Sequence, residues 1–236
     1  MVDHASAAAP PAAAHAAPLP ALAHHFEDLQ QQRAAGELGM WLFLVTEIMF
    51  FGGLFLAYFV YRGWYAAEFA AGSHEMNVTL GAINTAVLLT SSLTMALAVH
   101  AAAQADRRRV LMLLLATAGL GLVFLGIKAW EYYHKYEEHL IPFAGLAFAH
   151  DRSEREGLVT FLNLYFLMTG LHAFHMIIGI VLVLVVAAAA WRGRWLGEQT
   201  VVVHNVGLYW HFVDLVWVFL FPFFYLVGAS GGPAGH

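Results

Sequence analysis

Cysteine is absent from all 236 residues. That excludes disulfide cross-links, thiolate metal centres and cysteine nucleophiles. Charge is scarce: Asp, Glu, Lys and Arg make up 11% of the chain, where soluble domains carry roughly 25%. The net charge is −5 with histidine neutral, and no basic face marks a nucleic-acid binder. The N-terminus lacks a basic segment followed by an apolar core, so it does not read as a secretory signal. No internal repeat is visible, which leaves the inverted-repeat architecture of many transporters without support.

What the chain has is hydrophobic length. Apolar residues make up 61% of it. Five runs, about 38–62, 78–100, 110–131, 158–188 and 205–229, are long enough to cross a membrane. Without strand-like alternation, and with every backbone group needing an internal partner in lipid, each reads as a helix. The sequence thus predicts an all-α polytopic membrane protein, a bundle of five transmembrane helices. The fourth run exceeds the bilayer and should tilt or project from it. Residues 1–35, rich in Ala, Pro and His, read as a disordered tail, 36–229 as the membrane domain and 230–236 as a short C-terminal tail. His4, His15, His24 and His25 in the first tail have no fixed geometry for a metal. Gly53 with Ala57, Gly119 with Gly126 and Gly170 with Ala173 place small residues where helices can approach closely. Pro222 should kink or loosen the last span near its end.

The loops are unequal in charge. Arg107, Arg108 and Arg109 follow the second run, Arg192 and Arg194 follow the fourth, and Arg33 precedes the first. The opposite loops hold Arg62, Lys135, Arg152 and Arg155 among many acids, including Glu68, Glu75, Glu137, Glu138 and Glu156. The positive-inside rule then sets the N-terminus in the cytoplasm and the C-terminus outside.

Ionisable residues interrupt the apolar runs. Glu47 in "TEIMFF" lies nine residues into the first, ~13 Å deep at the helical rise. A carboxylate there costs several kcal/mol unless it is neutral, paired or functional. His211 and Asp214 in "YWHFVD" share one face of the last run, and "GLHAFH" sets His172 and His175 three apart in the fourth. Counting residues from the span ends puts Glu47, His175, His211 and Asp214 at one level. Asn84, Ser91 and Ser92 add neutral hydrogen-bonding groups on the second span. Lys128, Glu131, Arg62 and Glu68, near span ends, can snorkel or pair. Three readings stand together: a metal or haem site on the histidines and an acid, a proton or ion path including an autonomous carrier built on Glu47, and a buried polar cluster that fixes helix register and holds lipid or a partner. The spacing of His172 and His175 points both rings one way, which disfavours haem ligation. The aromatic last span, with Trp210 and Trp217, reads as lipid-facing and packing surface. "EYYHKYEEH" reads as a solvated face, or as a docking surface for a basic partner such as cytochrome c through Glu137 and Glu138.

The same residues carry a family resemblance. "GMWLFLVTEIMFFGGLFLAYFVYR", "KAWEYYHKYEEH", "GLHAFHMIIG" and "YWHFVDLVWVFLFPFFYLVG" resemble, in order, subunit III of haem–copper terminal oxidases, over about residues 36 to 229. The N-terminal tail and the loop 132–157 fall outside it. The resemblance implies a multi-pass subunit of the bacterial cytoplasmic membrane with no catalytic residue, metal or redox chemistry of its own. Haem and copper are then expected in the partner subunits I and II, with phospholipid held in a cleft and proton uptake and turnover sustained by this subunit. Glu47 matches the family's membrane carboxylate, reactive towards hydrophobic carbodiimides. His172, His175, His211 and Asp214 match its other intramembrane polar positions, and Glu131 matches an acid ending a span. Trp41, Arg62, Glu131 and Trp210 are assigned to lipid or partner contacts, and Asn84 to the polar cluster. Mitochondrial-type members have seven helices, and this chain begins at the third. One wall of the lipid cleft is then missing, and a partner is expected to provide helices there. The "TEIMFFGG" stretch resembles the cytochrome c oxidase branch more than the quinol oxidase branch. A nitric oxide reductase-associated protein and membership of a respiratory supercomplex remain further expectations.

Overall fold

The structure, a computed structural model, describes residues 28–137, 152–197 and 200–228. The tail histidines, Glu138 and the C-terminal tail lie outside these residues. The described residues are helical and contain no strand. In chain order the helices are α1 (Leu29–Trp64), α2 (Ala66–His74), α3 (Val78–Ala103), α4 (Arg107–Glu137), α5 (Arg152–Trp191) and α6 (Val201–Phe221). A π-helical turn, Pro222–Leu226, extends α6. The five long helices are each apolar and long enough to span a bilayer.

Local chemistry sets the helix ends. Asp28 caps α1, its Oδ1 accepting from the Gln31 N–H at 2.6 Å. The helix consequently starts inside the stretch assigned to a disordered tail, because Leu29–Ala35 consists of good helix formers behind a cap. Asn77 caps α3 through the Leu80 N–H at 3.0 Å. The α3–α4 turn passes through Ala105 at φ +56°, and Asp106 starts α4 by accepting from the Arg109 N–H at 3.1 Å. Pro222 has no N–H to continue an α-helical ladder, and the chain goes over to wider π turns there. The short α2 was not legible as a span. Its Phe69, Gly72 and Ser73 face inward at helical spacing, and Phe69 packs edge-on to Phe161 of α5 at 5.3 Å.

Helices α3, α4, α5 and α6 pack in a closed ring, each against the next, with α6 returning to α3. The first long helix, α1, lies outside this ring against α5 and α6. Its buried residues, Leu44, Phe51 and Tyr58, recur every seven positions, so a narrow seam makes the contact. That seam is aromatic: Phe51 packs on Phe212 at 6.1 Å, Phe55 on Phe223 at 5.5 Å, and Tyr58 stacks on Phe223 at 5.4 Å. The Tyr58 hydroxyl donates to the Phe223 carbonyl, joining α1 to the turn that ends α6.

The glycines that lie tight against a neighbouring helix are not the expected ones. A β-carbon on Gly121 would stand 2.8 Å from Trp210 Cη2, and one on Gly207 2.9 Å from Val99 Cγ2. Gly53, Gly119, Gly126 and Gly170 face open space instead. Spacing alone names small residues on a helix but not the face that meets a neighbour.

Candidate functional site in the membrane core

The expected single cluster is resolved into separate sites. Glu47 meets His175, Oε2 to Nε2 at 3.2 Å, where α1 crosses α5. The His175 ring is fixed from its other side: Nδ1–H donates to the Leu171 carbonyl at 2.8 Å. Tyr209 of α6 donates to the His175 carbonyl at 3.0 Å, and the Phe51 ring stands 5.2 Å away, edge to face. Both Glu47 and His175 are largely but incompletely buried, at 18% and 12% side-chain exposure. The carboxyl oxygen lies close to the imidazole yet off the axis of a ring N–H, an acid–base contact rather than a formed hydrogen bond. In an apolar setting such a contact offsets the cost of burying the acid, and it can hold a proton on either partner.

His211 and Asp214 do not join that pair. His211 Nδ1 bonds the Ser92 hydroxyl at 2.7 Å. Asp214 is buried on the same helix, with the Ser92 side chain beside it. His172 turns away from His175, into the ring, between Phe124 at 5.4 Å and Trp217 at 5.3 Å. Three residues of helix leave two side chains about 60° apart. Because α5 sits between the ring interior and α1, that arc sends one histidine to each side. This corrects the expectation that both rings point one way. Asn84 is fully buried on α3, its amide without a partner. Among the described residues no three His, Asp or Glu side chains come together as a metal site.

Two residues assigned to lipid or partner contacts are interior. Trp210 is buried, its indole N–H donating to Ser91 Oγ at 2.8 Å. Trp217 of the same helix donates to Thr85 Oγ1 at 3.1 Å. An indole needs a hydrogen-bond acceptor when buried, and the hydroxyls of α3 provide it, so these rings fill the ring of helices rather than face lipid. Trp41 does stand on the surface at 57% exposure, and Arg62 is half-buried in the last turn of α1.

Glu131 is the other correction. It is buried with Lys128 one turn earlier on α4, Oε2 to Nζ at 3.0 Å. Lys128 Nζ also donates to the hydroxyls of Tyr165 and Tyr225, each at 2.9 Å. Those hydroxyls donate in turn to Glu131 Oε1, at 2.9 and 2.6 Å. All three ammonium hydrogens are used, and both carboxylate oxygens are occupied. The rings of Tyr132, Tyr165, Trp217 and Tyr225 surround the ammonium at 5.0 to 5.6 Å from their centroids. The network joins α4, α5 and the end of α6. The sequence allows Lys128 and Glu131 to snorkel or to pair, and they pair; it does not single out the tyrosines. Lys135, expected on a solvated face, is also buried and donates to the Glu75 carbonyl that ends α2.

Comparison with known proteins adds a second line. The family description "Cytochrome c oxidase subunit III" matches residues 24–138 and 153–229. The chain is 34% identical over 196 residues to the cytochrome c oxidase subunit 3 of Thermostichus vulcanus, covering 80% of this chain and 86% of that protein. It is 30% identical over 194 residues to the cytochrome c oxidase subunit 3 of Alkalihalophilus pseudofirmus, covering 82% and 87%. A probable quinol oxidase subunit 3 of Staphylococcus epidermidis is 29% identical over 212 residues, covering 88% of this chain and 98% of that one. With the family match spread over all five spans and both polar sites, the chain belongs to the cytochrome c oxidase subunit III family.

Proposed function

We propose that the chain is an accessory subunit of a bacterial haem–copper oxidase, one that sustains proton supply and stable turnover in a neighbouring catalytic subunit. The observation that carries this reading is the Glu47–His175 contact: an acid and a base held together where the outlying helix α1 meets the ring. An acid and a base in contact can shift a proton between them with no change in the pair's net charge, which lowers the cost of holding both inside the apolar layer. In this reading haem and copper sit in subunits I and II, oxygen is reduced there, and the present chain has its N-terminus in the cytoplasm. Phospholipid and helices of a partner cover the apolar faces of α1, on which Trp41, Ile48, Met49 and Leu56 are exposed. Relatives named for both cytochrome c oxidase and quinol oxidase leave two electron donors in view. The "TEIMFFGG" stretch favours cytochrome c.

The test uses the whole complex, purified gently through a tag on this chain. Reduced haem bands in its visible spectrum are expected. A lone, haem-free protein that moves protons by itself in liposomes would replace this reading with an autonomous carrier. In the complex, Glu47→Gln should assemble, since the amide nearly matches the acid in shape, and should lose activity faster during continuous turnover. Equal lifetimes would reduce Glu47 to a packing residue.

A further inference from the structure

Three polar side chains at the seam between α3 and α6 form a continuous chain. His211 Nδ1 bonds the Ser92 hydroxyl at 2.7 Å, and the same hydroxyl hydrogen-bonds the Asp214 carboxyl. The two ends are three residues apart on α6, so they share one helix face, and Ser92 of α3 lies between them. Asp214, at the inner end, is buried, whereas His211 and Ser92 are half-buried. On α6 His211 begins an open strip with Leu215 and Val218, both exposed, about a quarter-turn from Phe212 and Phe219, which face α1. Its Nε2 has no partner among the described residues and is not shielded by them. The chain therefore runs from an open imidazole nitrogen to a buried carboxyl.

Each member can change its proton without breaking the chain. An ionised carboxyl only accepts, so Ser92 then donates to Asp214, its oxygen accepts from His211 Nδ1–H, and Nε2 carries the lone pair. A protonated carboxyl can donate to Ser92 instead; Ser92 then donates to Nδ1, and Nε2 carries the hydrogen. The two arrangements differ by one proton. Adding it at Nε2 forms an N–H there, breaks the Nδ1–H bond, replaces the Ser92 O–H by another and forms an O–H on Asp214. The imidazole is neutral in both, and the proton's charge is cancelled on the buried acid. The order of the residues excludes a hydrolytic triad, because the serine stands between histidine and acid instead of facing a histidine that the acid orients. The other ionisable side chains of the membrane core are engaged elsewhere: Glu47 with His175 on the α1 side, His172 between Phe124 and Trp217, and Lys128 with Glu131.

We propose that His211, Ser92 and Asp214 form a proton-accepting relay, which takes a proton from water at the open His211 Nε2 and stores it on the Asp214 carboxyl. The relay is separate from the Glu47–His175 contact and needs only that the chain spans a membrane, so it does not rest on the oxidase reading. A contact that merely fixed the register of α3 against α6 would need no titratable group at its buried end. On the same two helices Trp210 with Ser91 and Trp217 with Thr85 already fix that register.

Infrared difference spectroscopy of the intact complex, on changing pH and on transfer to heavy water, reads the carbonyl stretch of a protonated carboxyl. A band that Asp214→Asn removes and Glu47→Gln leaves in place is expected. No Asp214-dependent band, or its loss in Glu47→Gln, overturns the proposal. His211→Gln keeps a hydrogen-bonding side chain beside Ser92 but cannot pass a proton on, so exchange of the Asp214 carboxyl should slow by about tenfold or more. Ser92→Ala should do the same, and Ser92→Thr, which keeps the hydroxyl, should retain the parent rate. Exchange at the parent rate in both His211→Gln and Ser92→Ala would leave the three residues a purely structural contact and overturn the relay. The unmodified complex gives a reading that needs no variant to assemble. Isotopic labelling of aspartate carboxyls must shift at least one exchangeable carboxyl band, and a spectrum without any such band overturns the proposal.

Discussion

Among individual residues, Lys128 and Glu131 are the pair whose energetics are best defined. Each is buried, and each has its hydrogen-bonding capacity filled by the other and by two tyrosines. A buried ion pair of this kind adds little net stability over apolar residues of equal volume, but losing one member strands the other charge, at about 3–5 kcal/mol. Glu131→Gln alone and Lys128→Met alone should therefore each destabilise strongly, while the double variant should cost much less than their sum. A double-mutant cycle on thermal unfolding of the purified complex measures the coupling; additive single effects would show that the network is not a unit. Tyr165→Phe removes one neutral donor and should cost nearer 1 kcal/mol. Much of this site was not legible in the chain. Lys128 and Glu131 were visible as charges near the end of an apolar run, where snorkelling is the ordinary outcome. What turns them inward is contact with Tyr165 and Tyr225 from two other helices, and pairing between distant segments leaves no mark on local periodicity. Glu47 and His175 were easier, because depth could be counted from the span ends. The azimuth of each side chain could not, which is why Asp214 and His211 were placed with them.

Among the helices, the five spans were readable because lipid demands length and apolarity, both local properties. The helix α2 was missed because nine residues with Phe69 inward carry no comparable signal. Which glycines pack was also hidden, and there the structure makes a paired prediction. Gly121→Ala puts a β-carbon against the Trp210 ring and should cost about 1–3 kcal/mol through overpacking. Gly126→Ala, on the same helix and facing open space, should be neutral or should gain up to about 1 kcal/mol from helix propensity. Thermal release of the subunit from the complex, compared between the two, checks the assignment. Equal losses would mean that the outer face of α4 is packed as tightly as the inner one.

For the molecule as a whole, the proposed orientation is open to a direct test because the chain has no native thiol. Arg108 and Tyr136 are both exposed, at opposite ends of α4. In right-side-out membrane vesicles, a membrane-impermeant maleimide should label Tyr136→Cys and leave Arg108→Cys unlabelled until the vesicles are opened. The reverse pattern would invert the topology. The ring itself has a consequence in time as well as in space. Its closing member is α6, which packs against α1, α3 and α5 and contributes Trp210 and Trp217 to the interior, yet it leaves the ribosome after the other four spans described here. Until it arrives, Ser91, Ser92 and Thr85 of α3 lack the indole and imidazole groups that they bond in the finished fold. The aromatic seam of α1 has no α6 to lie against. Four long helices thus wait in the bilayer with their polar faces open to one another, and the ring closes only when α6 is made.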